Sequence, residues 1–125
     1  MTQQPSTQSD RRRAHREDVR FRLLRALDAD SDLSQRDLAR ETGVSLGAVN
    51  ALLNGLIETG WVKIGSAAAT SARFRIAYVL TAAGRAEARR LAGRYLARRR
   101  AERAALSAEI AALEADDGPG TERRG

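Results

Sequence analysis

The stretch "SQRDLARETGVSLGAVNALLNGLIETGWV", Ser34 to Val62, constrains the fold more tightly than any other part of the chain. It reads as two short amphipathic helices joined by Thr42-Gly43-Val44. Ser34 has the chemistry of an N-cap, with Asp37 at the third helical position and Leu33 and Leu38 spaced as a hydrophobic staple. Gly43 follows where a helix ends on a left-handed residue. Ser45 caps the next helix, and Val44 with Val49 repeats the staple. The helix expected there buries Val49, Leu52, Leu53, Leu56 and Ile57 and stops at Gly60.

Two helices that cross at a tight turn need a small residue in the first, a glycine in the turn, and apolar residues to lock the second. Ala39, Gly43, Val49 and Leu52 satisfy those offsets, and Leu38 and Val44 complete the core. The pattern is that of a helix-turn-helix. A further helix over 18–29 precedes it, with Val19, Leu23, Leu24 and Leu27 at helical spacing. After Gly60 the period changes: "WVKIGS" and "RFRIAYVLT" are β-prone and frame the small, featureless "SAAATSA". Thr81 then caps a helix that runs from Ala82 to about Ala115. The fold class expected is mainly α with a small β-hairpin, a winged helix-turn-helix with a long C-terminal helix. Residues 1–17 and 116–125 are expected to be disordered tails, since neither has apolar residues to bury. The winged domain covers 18–81 and the dimerisation helix 82–115.

The formal charge of +6 on 125 residues is unevenly placed. Residues 61–100 hold ten basic side chains and one acid, whereas 28–60 hold two bases and six acids. A basic block of that density calls for a polyanion partner, here double-stranded DNA. The plainer explanation is an arginine-rich surface, for the chain has one Lys and much Ala. Catalysis finds no support in the residue pattern: His15 stands alone in the basic tail, no cysteine occurs, and no glycine-rich loop follows a strand. Neither cofactor nor metal is called for. With Phe21, Trp61, Phe74, Tyr78 and Tyr95 as the only aromatics, no pocket for a small-molecule effector is identified. The apolar runs are too short to span a membrane and no signal peptide opens the chain, so the expectation is a bacterial cytoplasmic protein associated with the nucleoid.

The helix-turn-helix geometry directs Ser45, Leu46, Gly47, Asn50, Ala51 and Asn54 away from the core, toward the major groove. Asn50 and Asn54 each have the donor and acceptor for a bidentate contact with adenine. Ordinary solvated amides are the competing reading. The second helix has no Lys or Arg, so phosphate attraction falls to Arg36 and Arg40, to Arg73 and Arg75 on the wing, and to Arg11–Arg13. On the last helix, Leu96, Leu106, Ile110 and Leu113 share one heptad seam with Arg99 and Arg103 between them, which assigns the apolar end to a homodimer.

"LSQRDLARETGVSLGAVNALLNGLIETGWVKI", followed by "YVLTAAGRAEA", resembles the MarR-type winged-helix regulators, most of all a small subgroup associated with bacterial exopolysaccharide gene clusters. The resemblance implies a DNA-binding dimer that regulates nearby genes from a palindromic operator. Ala48 and Ala82 stand where that subgroup often has a basic residue and a proline, which weakens the transfer of DNA contacts at the first of them. The alternative function is a winged-helix module that binds protein or RNA, which would suit the acidic segment around the second helix.

Overall fold

The computed structural model describes residues 7–65 and 76–117. Its elements run α1 (Gln8–Ala29), α2 (Gln35–Thr42), α3 (Leu46–Glu58), β1 (Val62–Gly65), β2 (Ala77–Leu80) and α4 (Ala82–Asp117). The order and type of the elements match the expectation from sequence.

Helix α1 differs from the expectation at its start. It begins at Gln8 rather than Asp18, so residues 8–17 are helical and not a disordered tail. The physical reason is local. Thr7 Oγ1 accepts from the Asp10 N–H at 3.0 Å while Asp10 Oδ2 accepts from the Thr7 N–H at 3.3 Å, a complete capping box. Gln, Arg, Ala and Glu then extend a helix already nucleated by its buried half, and propagation costs far less than nucleation. Burial begins only at Val19 and continues through Phe21, Leu23, Leu24 and Leu27.

Ser34 caps α2 with the expected box: its Oγ accepts from the Asp37 N–H at 3.1 Å, and Asp37 Oδ2 accepts from the Ser34 N–H at 3.0 Å. Gly43 ends the helix at φ 75° and ψ 19°, a left-handed conformation in which any other residue would be strained. Ser45 opens α3 by accepting from the Ala48 N–H at 3.1 Å. Val49, Leu53 and Leu56 of α3 are buried against a core that includes Leu23, Leu24, Leu38, Val62, Leu80 and Leu91. Leu52 and Ile57, expected in the same core, are half-buried.

Strands β1 and β2 are antiparallel, with Val62 opposite Leu80 and Ile64 opposite Tyr78. Val62, Tyr78 and Leu80 are buried, while Ile64 and Ile76 are exposed at the open end of the hairpin. The base of the hairpin is locked to the start of α4. Thr81 N–H donates to the Trp61 carbonyl at 3.1 Å, Thr81 Oγ1 donates to the Gly60 carbonyl at 2.6 Å, and the Gly84 N–H donates to Thr81 Oγ1 at 3.0 Å. Gly84 is buried so closely that a Cβ there would overlap the Trp61 carbonyl oxygen.

The chain divides into two units, Met1–Ala92 and Gly93–Gly125. The first holds the core. In the second, the described part of α4 ends at Asp117 rather than near Ala115, and every described residue from 99 onward is exposed. Leu96, Leu106, Ile110 and Leu113 are 47–60% exposed, and Arg99 of the same seam pairs with Glu102 at 3.1 Å. Among the described residues no helix is long and apolar enough to cross a membrane.

Candidate nucleic-acid interface

The sides of α3 have different tasks. Val49, Leu53 and Leu56 hold it to the core, and Ser45, Leu46, Gly47, Asn50, Ala51 and Asn54 are all exposed, as expected. Gly55 joins that exposed side, a residue that inspection of the sequence did not single out. Residues 47, 50, 51, 54 and 55 recur at helical spacing and form one stripe of glycine, alanine and asparagine. Nothing long or charged projects from these five residues, and Glu58, exposed on the same side, follows them at the end of α3. A Cβ at Gly47 would meet no protein atom within 4 Å, so packing within the chain does not demand a glycine there. A smooth, uncharged stripe lets another surface approach the helix backbone closely.

The start of α3 carries the positive end of the helix dipole, and no acidic residue lies in its first turn to offset it. Ser45 satisfies one of the free amides there, and Leu46 beside it is an exposed apolar side chain, 45% accessible. The end suits an anion, with an apolar contact beside it.

The two asparagines are not independent solvated amides. Asn54 Nδ2 donates to Asn50 Oδ1 at 3.2 Å, and Asn50 Nδ2 donates to Gln35 Oε1 at 3.4 Å. Gln35 Nε2 in turn donates to the Tyr78 hydroxyl at 2.9 Å. Helices α2 and α3 and strand β2 are therefore joined by one directional chain of polar groups. Gln35 and Tyr78 escaped the sequence reading because their meeting, 43 residues apart, depends on where the hairpin docks.

Arg36 and Arg40 on α2 are exposed. Arg40, well exposed, forms a long pair at 3.6 Å with the half-buried Asp37, which takes up only part of its charge. Arg73 and Arg75, expected to supply the wing's charge, lie outside the described residues, as does Phe74. Arg11, Arg12 and Arg13, expected in a loose tail, are instead exposed on the first turns of α1.

Within the first unit, Glu87 of α4 is buried and accepts from Arg90 at 2.8 Å twice, from Nε and from Nη2. Arg20 of α1 reaches the same carboxylate at 3.3 Å and lies over the Trp61 ring, 5.6 Å from its centroid. The hydrogen bonds from Arg90, with the charges of Arg90 and Arg20, hold the Glu87 carboxyl below its ordinary range against the opposing effect of burial. Trp61, half-buried at the turn into β1, is thus fixed as a packing residue.

Comparison with known proteins places this geometry. Residues 16–63 match a family model described as winged helix-turn-helix DNA-binding. Among solved structures, the chain is similar to the MosR transcriptional regulator of Mycobacterium tuberculosis, at TM-score 0.60 and 21% identity over 84% of this chain and 82% of that one. It is also similar to a MarR-family transcriptional regulator from Silicibacter pomeroyi, at TM-score 0.57 and 21% identity, covering 87% and 85% of the two chains. The PcaV transcriptional regulator of Streptomyces coelicolor gives TM-score 0.56 and 24% identity over 82% and 79%. No curated protein matches the chain in sequence. The fold is a winged helix-turn-helix, and it is shared with regulators of the MarR family.

Proposed function

We propose that the chain is a DNA-binding transcriptional regulator of MarR type, in which α3 reads sequence in the major groove. One observation carries the reading. A capped helix buries Val49, Leu53 and Leu56 and turns outward a stripe of small residues and paired amides that stays outside the core. The match of residues 16–63 to a winged helix-turn-helix DNA-binding family supports it. Ser45 and the start of α3 meet a phosphate, Leu46 lies against a base-edge methyl, and Asn50 and Asn54 supply hydrogen bonds to adenine. Arg36 and Arg40, with Arg73 and Arg75 of the wing, contribute sequence-independent attraction to the backbone. Action at DNA puts the protein in the cytoplasm, at the nucleoid. The genes it controls are neighbours, of exopolysaccharide type by the sequence resemblance. A gel shift with the duplex upstream of its own gene tests this. Retention of that duplex over an RNA of the same sequence supports the reading, and preference for the RNA replaces it with the alternative.

The regulator acts as a homodimer on a palindromic operator, through the row Leu96, Leu106, Ile110 and Leu113. What supports this is a row of four exposed apolar side chains on one helix, unburied within the single chain. Two-fold symmetry then sets half-sites about one helical turn apart, or a multiple of it. Ile110→Asp should sediment as a monomer and bind the operator far more weakly than Asn54→Ala does. Sedimentation unchanged from the parent protein removes this helix as the interface.

A further inference from the structure

We infer that Gln35 and Tyr78 are positioning residues that hold the Asn50 amide in place on the exposed side of α3, where it reads adenine. The inference rests on the proposal that α3 reads DNA, and goes beyond it by naming what sets the specificity of that reading.

An asparagine amide has two N–H donors and two acceptor sites on its oxygen. For a bidentate contact, adenine requires one acceptor for its N6 amino group and one donor for N7. Asn50 spends one donor on Gln35 and one acceptor site on Asn54. One donor and one acceptor remain, which is the complement adenine presents. An amide free to rotate about its last torsion presents those two functions in any direction. Asn50 has neighbours that restrict it: its nitrogen donates to Gln35 Oε1 and its oxygen accepts from Asn54 Nδ2, so both ends of the amide are held.

The Gln35 amide is held in turn, since its nitrogen donates to Tyr78 Oη at 2.9 Å. A hydroxyl can both donate and accept, so this contact fixes the place and plane of the Gln35 amide rather than which of its ends faces Asn50. Tyr78 is buried on β2, in a register fixed by its pairing with Ile64, so its hydroxyl is the anchored end of the chain. Gln35 is half-buried at the first position of α2, directly after the Ser34 cap, which holds its backbone in place. Placement of the Asn50 amide therefore passes from the strand through α2 to the exposed side of α3, and Asn54 adds a second contact at its oxygen.

The experiment measures binding by fluorescence anisotropy to three kinds of duplex. These are a site enriched from a random pool by the wild-type protein, its single-base variants, and random DNA. Gln35→Met keeps the length of the side chain and removes both polar atoms. It should lower the preference for adenine at the position read by Asn50 by about twofold to tenfold, the span of one lost hydrogen bond, and leave affinity for random DNA unchanged. Tyr78→Phe, which deletes only the hydroxyl, should shift the same preference in the same direction. Gln35→Glu keeps an acceptor toward Asn50, and the Tyr78 hydroxyl can reverse to donate to it. That variant should retain the adenine preference while its added negative charge weakens binding to every duplex. In an Asn50→Ala background, Gln35→Met should have no further effect on base preference. Wild-type preference in Gln35→Met and Tyr78→Phe, with preference lost in Asn50→Ala, overturns the positioning role and leaves α3 as the reader. Wild-type preference in Asn50→Ala itself overturns the reading by that residue, and the positioning role with it.

Discussion

Arg20 Nη1 lies 3.3 Å from Glu87 Oε2, so a charge pair bridges α1 to the first turns of α4 across 67 residues of chain. Glu87 is only 7% exposed, and its second partner, Arg90, grips it through both oxygens. One carboxylate thus serves two guanidinium groups.

Removal of that carboxylate leaves two guanidinium groups facing each other at the edge of a core. Glu87→Gln should cost about 1–2 kcal/mol of stability at neutral pH by denaturant unfolding. The Glu87 carboxyl titrates below its ordinary value of 4.5 in the folded chain, chiefly through the hydrogen bonds from Arg90. Its contribution is therefore complete above that ordinary value and is lost as pH falls through the lower, folded value. The stability difference between the wild type and Glu87→Gln should accordingly shrink on acidification below 4.5. A difference that stays constant from neutral to acid pH would place the cost in packing rather than in charge.

Gly84 is the point at which α4 meets the turn before β1. A Cβ would overlap the Trp61 carbonyl oxygen, which is backbone and already accepts from the Thr81 N–H. Gly84→Ala should destabilise the fold by about 1–3 kcal/mol through overpacking, despite the better helix propensity of alanine. Gly47→Ala, where a Cβ meets nothing within 4 Å, should gain stability by thermal unfolding, and only its DNA binding should suffer. Equal melting shifts for the two substitutions would contradict this contrast.

The helix-turn-helix was legible in the sequence because its determinants are local. Ser34 with Asp37, Gly43, and Ser45 each act on their own helix end, and each is found in the expected role. The outward set on α3 followed from the same periodicity. Two things were not legible. The start of α1 is one: residues 8–17 bury little, and composition reports burial rather than the capping and propagation that make them helical. The chain from Tyr78 through Gln35 to Asn50 joins three elements distant in sequence, and nothing in the spacing of Gln35 marks it.

Phosphate attraction in the proposed complex comes from outside α3, which has no basic residue. Arg36→Ala should weaken binding to specific and random duplexes alike and lower the slope of log affinity against log salt by about one unit. Arg40→Ala should do the same to a smaller degree, since Asp37 already holds part of its charge at 3.6 Å. Slopes unchanged in both variants would shift the backbone contacts to the wing and to the arginines of α1.

The reading of DNA by α3 is tested most directly by Asn50→Ala, measured at one salt concentration on a preferred duplex and on random DNA. Asn50 is exposed, so its truncation leaves the core intact, and the comparison of the two duplexes separates a base contact from the loss of its bonds to Gln35 and Asn54. The expected result is a loss of about 1–3 kcal/mol on the preferred site and little change on random DNA. Equal losses on the two duplexes, or none on either, would contradict direct readout and leave the exposed side of α3 without the role proposed for it.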